Sequence, residues 1–328
     1  MWAICCCPRA YTFKQFQNNS GFVELGRVDT SNGIRSLNLA GSKLFLNYFS
    51  THPSAWLRGS RYSNALAFEQ NIDHSYDGSL LIGNSNLVVA LSASRTAGVN
   101  RLAVAEIGSA GSLAWETELD FGIILTNSIA IDSSDQVYVS TYEGGGNATL
   151  YLFNSSGGKV WRVTSISTVG TSSLCVVDSA GYAWVAAQAG ADVKLARVNT
   201  SGTVVQTVTI SNRYLNSIRN DGSTGIWVHH SSSPFSIGDK FERFDSSGSS
   251  VASWTDTDVF AAPFAVDGSN NLYSLIRVSS VNKVRKYNSG GTTQWTSGDI
   301  GFGNGLSLSD IAADSSYVYV SASASLSS

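Results

Sequence analysis

Residues 150–161 read LYLFNSSGGKVW, and versions of this stretch recur along the 328-residue chain. An apolar run leads into a polar turn with glycine, and a second run ends in tryptophan. Aliphatic and aromatic residues favour a pleated, half-buried strand, while Asn, Ser and Gly favour the turn between two strands. The stretch therefore predicts a β-hairpin, and its recurrence predicts a repeat protein.

The copies align on the glycine of the turn. The anchor glycines are Gly21, Gly111, Gly157, Gly202, Gly248 and Gly291. Most neighbouring anchors are about 45 residues apart, which is the length of a four-stranded propeller blade. The first interval is about twice as long, so we expect a further copy within residues 65–71, which read ALAFEQN and lack the glycine.

A second hairpin precedes each copy. Residues 128–141 read SIAIDSSDQVYVST, an apolar strand, a tight turn and a strand rich in Val and Tyr. Similar segments lie at residues 37–47, 80–91, 174–186, 218–229, 264–275 and 311–321. One repeat is therefore strand A, turn, strand B, loop, strand C, turn, strand D.

The first and the last repeat that can be recognised are each incomplete. Seven A–B hairpins can be counted, and no C–D hairpin follows the last of them. The first C–D hairpin, around residues 16–25, has no A–B hairpin before it. The sequence thus predicts an all-β fold, a seven-bladed β-propeller of four-stranded antiparallel blades. Its N-terminal strands would complete the C-terminal blade and so close the ring.

No linker or charge block divides the chain, so residues 11–328 are predicted to form a single propeller domain behind a short arm, residues 1–10. The arm holds Cys5, Cys6 and Cys7, which lack the spacing of a zinc site and are interpreted as free thiols. Cys175 is interpreted as a small buried hydrophobic residue. The start of the sequence has no signal-peptide pattern, and no apolar run is long enough to span a bilayer.

Composition argues against two classes of binding partner. Charged residues make up only 14% of the chain and the net charge is −3, so neither nucleic acid nor an anionic membrane is expected as a partner. Phosphate-binding glycine loops, nucleotide fingerprints and nucleophile elbows are absent from the sequence. We therefore predict no cofactor and no metal.

The loops at the two ends of the predicted blades differ in character. The A–B and C–D turns are short and alike, whereas the B–C loops, read as residues 49–60, 92–100, 143–147, 188–192, 230–239 and 277–282, vary. Variation between repeats on one face marks a binding face, although unrestrained drift of the loops is the alternative. The predicted binding residues on this face are Trp56, Arg95, Glu143, His230 and Phe235.

Two histidines are candidates for acid–base chemistry. His74 lies in the segment IDHSYDG between Asp73 and Asp77, and His230 follows strand B of a later repeat. A structural or solvated role is the alternative reading for His74. His229 and His230 are adjacent in a strand and should point to opposite faces, which argues against a shared metal.

Three further features are interpreted as structural. Asp132 and Asp267 begin segments that resemble fragments of calcium loops, but they coincide with A–B turns and lack the distal ligands. The tryptophans that end strand D are expected to pack between blades. These are Trp115, Trp161 and Trp295.

The C–D hairpin resembles the pyrroloquinoline-quinone-type propeller repeat, whose pattern is aromatic-x-[ND]-x-x-G-x-x-x-W. Residues 153–161 and 287–295 match it best, and residues 107–115 match it loosely. The resemblance implies the propeller architecture along nearly the whole chain. Quinone dehydrogenases of this type have eight blades, a calcium site, a catalytic Asp and a vicinal disulfide within the propeller. This chain differs in its seven predicted blades and in the position of Cys5 to Cys7 outside the repeats.

Three functional hypotheses remain from the sequence. The first is a non-enzymatic structural or binding propeller in a large assembly, such as a tail, neck or capsid accessory protein of a phage virion, that contacts a host-surface glycan or protein. The second is a polysaccharide lyase or hydrolase with His74 and His230 as acid–base groups. The third is a cytoplasmic protein-interaction scaffold. Fold alone does not choose among them.

Overall fold

A computed structural model describes residues 11–18, 24–30, 34–40, 43–48, 57–63, 68–74, 78–84, 87–96, 99–107, 113–118, 123–143, 146–168, 173–233, 240–302 and 306–324. These residues form 28 β-strands and no helix. The arm with Cys5, Cys6 and Cys7 lies outside the described residues.

The strands of the first half of the chain are β1 (Tyr11–Gln17), β2 (Glu24–Thr30), β3 (Ile34–Ala40), β4 (Lys43–Tyr48), β5 (Leu57–Ser63), β6 (Phe68–His74), β7 (Gly78–Asn84), β8 (Leu87–Thr96), β9 (Val99–Ile107), β10 (Leu113–Glu118), β11 (Ile123–Ile131), β12 (Val137–Glu143), β13 (Asn147–Phe153) and β14 (Lys159–Thr168).

The strands of the second half are β15 (Ser173–Val177), β16 (Ala183–Ala189), β17 (Asp192–Val198), β18 (Val204–Ile210), β19 (Tyr214–Asn220), β20 (Ile226–Ser231), β21 (Lys240–Phe244), β22 (Ser250–Thr255), β23 (Val259–Val266), β24 (Leu272–Val278), β25 (Val281–Tyr287), β26 (Thr293–Thr296), β27 (Leu306–Ala313) and β28 (Tyr317–Ala324).

The described strands pair into four-stranded antiparallel sheets, as the repeat predicts. We number the sheets along the chain: sheet 1 is β3–β6, sheet 2 β7–β10, sheet 3 β11–β14, sheet 4 β15–β18, sheet 5 β19–β22 and sheet 6 β23–β26. Sheet 7 combines both ends of the described chain in the order β27, β28, β1, β2. Its central ladder pairs β1 with β28 and places Phe13 opposite Ser321.

Neighbouring sheets touch through their first strands. The first strand of each sheet contacts the first strand of the next, from β3 of sheet 1 round to β27 of sheet 7, and β27 in turn contacts β3. The A–B and C–D turns lie at one end of each sheet, which we call the turn end. The B–C and D–A connections lie at the opposite end, which we call the loop end.

The core lies between the sheets. Alternate residues of a strand point to opposite faces, so a strand inside a stack of sheets supplies two hydrophobic clusters. In β13, Leu150 and Leu152 pack towards sheet 4, while Tyr151 and Phe153 pack towards sheet 2. All four are at most 1% exposed. The nearly unbroken apolar run of this strand thus reflects burial on both faces.

Tryptophans at the outer strands join one sheet to the next, as the sequence predicts. Trp115 of sheet 2 lies over Gly157 in the C–D turn of sheet 3, and its indole Nε1 donates to the Ser155 carbonyl at 3.1 Å. Trp161 of sheet 3 repeats the contact with Gly202 in sheet 4. Gly157 has φ of +82° and no room for a side chain, because a Cβ there would lie 2.6 Å from the Trp115 ring.

Aspartates close the A–B turns of sheets 3 to 7. Asp132 Oδ1 accepts the amides of Ser134 and Gln136 at 2.8 and 2.9 Å, and Asp267 Oδ1 accepts those of Ser269 and Asn271 at 2.9 Å each. These carboxylates therefore cap their own turns, as predicted.

Two A–B turn aspartates also hold arginines of strand C. Asp178 binds Arg197 and Asp221 binds Arg243, each through Nε and Nη2 at 2.7–3.0 Å. Both carboxylates are at most 1% exposed.

Cys175 is buried in β15 and free, as predicted for a small apolar residue. Burial raises the pKa of its thiol to about 11. The side chain therefore stays a neutral thiol inside the sheet 3–sheet 4 cluster.

Candidate functional site

Three of the binding residues that the sequence predicts lie within the described residues, and all three are in strands near the loop end. Arg95 lies inside β8 opposite Asn100, and His230 lies inside β20 opposite Lys240. Glu143 is the last residue of β12. Trp56 and Phe235 lie outside the described residues.

The loop assignment of residues 92–100 is wrong, because the β8–β9 ladder continues through Ser92, Ser94 and Arg95. Backbone pairing does not depend on side-chain polarity, so a polar run of this kind can remain a strand. The predicted loop of residues 277–282 likewise shortens to the two residues between β24 and β25. The role of these residues in binding stays a prediction.

For the predicted acid–base segment around His74, the structure describes only the backbone. Asp73 and His74 are the last residues of β6, opposite Arg58 and Leu57 of β5. Asp77 lies outside the described residues. His74 is thus at the loop end of sheet 1, where the sequence places it.

Glu143 is part of a closed polar cluster. Its Oε1 accepts the Tyr151 hydroxyl at 2.6 Å, and its Oε2 accepts a hydrogen bond from Arg162. The glutamate is 9% exposed, and the Arg162 guanidinium also lies over the Tyr151 ring at 5.7 Å. Glu143 thus fixes three strands of sheet 3 to one another at the loop end.

His230 is fully buried inside β20, although the sequence analysis counts it as the first residue of the B–C loop 230–239. Its Nε2 lies 3.2 Å from Oε2 of Glu242. Oε1 of Glu242 accepts the Ser250 hydroxyl at 2.6 Å, and Oε2 lies 3.6 Å from Lys240 Nζ. His229 points to the opposite face, as predicted, and stacks on Phe241 at 4.4 Å.

The charge of Glu242 is stabilised by these neighbours. Burial alone would raise its pKa, but the hydrogen bonds from His230 and Ser250 and the charge of Lys240 lower the pKa to about 2. Against the ordinary 4.5, this pKa corresponds to about 3 kcal/mol of stabilisation at neutral pH.

We expect this stabilisation to disappear in acid. A carboxyl whose folded pKa is lowered stabilises the fold above its unfolded pKa, so the contribution of Glu242 should be lost as the pH falls from 4.5 to about 2. Urea unfolding at several pH values should show a flatter profile for Glu242→Gln over this range. Glu116→Gln, at an exposed residue of β10, is the control. Equal slopes for wild type and Glu242→Gln would contradict the assignment.

A groove opens at the loop end of sheet 6. It has a volume of about 400 Å³, within the range of ligand sites, and is lined by residues 279–282, Asp299, Gly301 and Phe302. Ser279 and Ser280 form the two-residue turn between β24 and β25, with φ of 51° and 65°. Both serines are exposed, so their hydroxyls stand at the rim of the groove.

The other wall of the groove is the connection that leads from sheet 6 to sheet 7. The Ile300 amide donates to the Asn282 carbonyl at 3.1 Å, which ties this wall to the hairpin. From sheet 7, the buried Lys14 Nζ donates to the carbonyls of Ile300 and Gly301 at 3.2 and 3.3 Å and lies over the Phe302 ring. The groove is therefore held from both neighbouring sheets.

Two polar side chains inside the groove are oriented by the protein. Asn282 is 7% exposed, and its Oδ1 accepts Arg277 Nε at 2.9 Å. This leaves the Asn282 amide nitrogen without a partner among the described residues. Asp299 Oδ1 accepts the Gly301 amide at 2.8 Å. The sequence does not predict Asn282, Asp299 or Phe302 as candidate site residues, because no single motif contains them.

Two general properties of the described chain bear on the site. Among the residues that the structure describes, no helix has the length and apolar character needed to cross a membrane. Within the same residues, no three His, Cys, Asp or Glu side chains come together as a metal site would require.

Comparison with known proteins identifies the architecture. No protein-family model matches the chain, and no curated protein matches its sequence. Among solved structures, it is similar to a protein from Lactobacillus plantarum, with a TM-score of 0.60 and 10% identity over 89% of this chain and 96% of that one. It is also similar to the Dos1 propeller, with a TM-score of 0.59 and 12% identity over 84% and 73%. The fold is a β-propeller.

A third solved structure is that of BamB from Moraxella catarrhalis. Its TM-score is 0.52, with 12% identity over 94% of this chain and 91% of that chain. At such identities, the likeness concerns the propeller fold alone. The four-stranded antiparallel sheets and the all-β content predicted from the sequence are confirmed.

Proposed function

We propose that this chain is a non-enzymatic structural or binding propeller, a component of a large assembly such as the tail, neck or capsid of a phage virion. The observation that carries the proposal is a row of exposed valines on the outermost strands. Among the side chains that the structure describes, the exposed large hydrophobic residues are Val160, Val204, Val205 and Val251. All four lie on the fourth strands of sheets 3, 4 and 5.

The valines occupy one position of the repeat. Val160, Val205 and Val251 each follow the turn glycine of their own repeat by the same offset, and they are 51%, 45% and 50% exposed. Within the described strands, each fourth strand pairs with a neighbour on one side only, and β18 carries no charge and no proline. Exposed apolar residues on an uncharged edge strand favour pairing with another chain. A neighbouring protein of the assembly is the partner we assign to this valine row.

The same proposal includes the finer architecture. We infer that the seven sheets are seven blades of a closed ring, in which sheet 7 joins the two ends of the described chain. The contacts between successive first strands and the β1–β28 ladder support this arrangement. The tryptophan–glycine contacts between sheets support a repeat of the pyrroloquinoline-quinone type, without implying its chemistry.

The enzymatic alternative has less support from the described residues. One of its two candidate acid–base groups, His230, is 0% exposed and bound to Glu242 inside sheet 5. A proton donor or acceptor for a polysaccharide has to reach the substrate. The third hypothesis is a cytoplasmic interaction scaffold. It would use the same surface as our proposal but bind a different partner.

The assembly proposal is tested by isolating particles from the source organism. Mass spectrometry of density-gradient fractions should find the chain with the particles, and electron microscopy of the purified protein should show rings of seven blades. Lysine at Val160, Val205 and Val251 should reduce incorporation at least about tenfold, since burial of the exposed half of each valine contributes roughly 1 kcal/mol to docking.

The control places the same three charges elsewhere. Lysine at the exposed turn residues Ser133, Ser155 and Thr292 should leave incorporation unchanged. Recovery of the wild-type chain only as a free protein would overturn the assembly proposal. Equal incorporation of the two triple variants would overturn the role of the valine row. Rings of six or eight blades would overturn the inferred architecture.

A further inference from the structure

We propose that the groove at the loop end of sheet 6 binds a neutral sugar unit of a glycan. This inference deepens the proposed function, on which it rests, by assigning the ligand class and the residues of the contact. The groove lies on the face that the sequence predicts to be the binding face. Asn282, Asp299 and Phe302 were not among the binding residues predicted there.

The polar groups of the groove match a ligand with several hydroxyls. Asp299 offers acceptors, the Asn282 amide nitrogen offers a donor, and the hydroxyls of Ser279 and Ser280 can act as either. A hydroxyl of a sugar both donates and accepts, so neighbouring hydroxyls can bridge a carboxylate and an amide. Phe302 also lines the groove, as a mostly buried apolar residue that is 4% exposed.

The charges of the groove argue against other ligand classes. An anionic ligand would meet the Asp299 carboxylate, which is exposed at the rim. A metal ion would find a single carboxylate among the lining residues and the Lys14 ammonium behind the wall. An apolar ligand would leave Asn282 and Asp299 without partners. A neutral, hydroxyl-rich ligand avoids the charge repulsion, does not need several carboxylate ligands and gives Asn282 and Asp299 hydrogen-bond partners.

The groove is arranged before any ligand arrives. Arg277 orients the Asn282 amide, and the Gly301 amide orients the Asp299 carboxylate. Behind them, Ser297 Oγ accepts the Val284 amide at 2.9 Å, which fixes the connection against β25. Groups that are already oriented lose little conformational entropy when a ligand binds.

The test uses methyl glycosides of glucose, galactose and N-acetylglucosamine, titrated one at a time into the full chain. Amide NMR signals of Ser279, Ser280, Asn282 and Gly301 should shift with saturation for at least one glycoside. Asp299→Asn should weaken that binding about tenfold or more, because hydrogen bonds to a charged group are the strong ones.

A second variant separates binding from structure. Asn282→Asp keeps the acceptor for Arg277 and replaces the free donor by an acceptor, so it should weaken binding while leaving the melting temperature near wild type. Asp135→Asn is the matched control: it removes one carboxylate at the turn end, where φ of 58° suits asparagine. It should bind as wild type does.

Three results would overturn the inference: no saturable shift with any glycoside, shifts confined to other residues, or equal affinity of wild type and Asp299→Asn. Failure here is distinguishable from failure of the assembly proposal, which the particle fractions test separately. A chain that enters particles but ignores the glycosides would lose the sugar site alone. A chain that binds them but never enters particles would lose the assembly role alone.

Discussion

Replacing Asp221 by alanine should lower the free energy of unfolding by about 3–5 kcal/mol, the cost of breaking a buried ion pair. Asp221 is 1% exposed and binds Arg243 Nε and Nη2 at 2.9 and 2.7 Å. Its other oxygen accepts the amides of Ser223 and Gly225. Alanine would leave the guanidinium and both amides without these acceptors. Asp221→Asn can still cap the turn, so it should cost about half as much.

The loss should depend on pH. Burial raises the pKa of Asp221, but the hydrogen bonds from Arg243, Ser223 and Gly225 outweigh it and lower the pKa below its usual value. The stabilisation by Asp221 is therefore present above pH about 4 and disappears in stronger acid. Urea unfolding at pH 7 and pH 3 measures both effects. Asp245→Ala should cost much less, because in the described part of the chain Asp245 bonds Ser247 and Ser249 and no arginine. Equal costs for Asp221→Ala and Asp245→Ala would contradict the ion-pair account.

Gly157→Ala should destabilise the protein by about 3 kcal/mol. Positive φ costs a residue with a Cβ about 1–2 kcal/mol, and the methyl group would also displace the Trp115 ring, at about 1–3 kcal/mol for an overpacked site. The measurement is the midpoint of urea unfolding, followed by tryptophan fluorescence because the Trp115 ring is the contact that changes.

Gly190→Ala is the matched control for this prediction. Gly190 has φ of +62°, but no atom of the residues that the structure describes lies within 4 Å of the Cβ it would gain. Gly190→Ala should therefore lower the free energy of unfolding only by the backbone cost of a positive φ, about 1–2 kcal/mol. If the two alanines cost the same, the tryptophan contact between sheets contributes nothing at this position.

The sequence was sufficient for the regular part of the fold. The double-sided apolar pattern of β13, the turn glycine at Gly157 and the tryptophan at Trp161 each meet a local requirement, so features of this kind recur in several repeats. Aspartates such as Asp221 also recur, because in sheets 3 to 7 they accept the amides of their own A–B turns. The arginine partners of these aspartates could not be predicted, because each aspartate–arginine pair joins two separate segments and does not lie within one turn.

The candidate site was less predictable for a physical reason. Strand ends depend on backbone pairing, so Arg95 and His230 lie inside strands even though their polar neighbours suggest loops. The groove joins Asn282 of β25 to Asp299 of the next connection, and Lys14 from the start of the chain supports it. Only the folded chain brings these residues together, and no spacing within one repeat encodes them.

The pairing of β1 with β28 has a consequence for the order in which the molecule assembles. The side chain of Gln15 hydrogen-bonds Tyr319, 304 residues later, so sheet 7 cannot form until nearly all of the described chain has been synthesised. At the usual rate of about 5–20 residues per second, the N-terminal hairpin waits roughly 15–60 s with an exposed edge. Until then the nascent chain offers that edge to other chains, and a chaperone that shields the first strands would increase the yield of native protein.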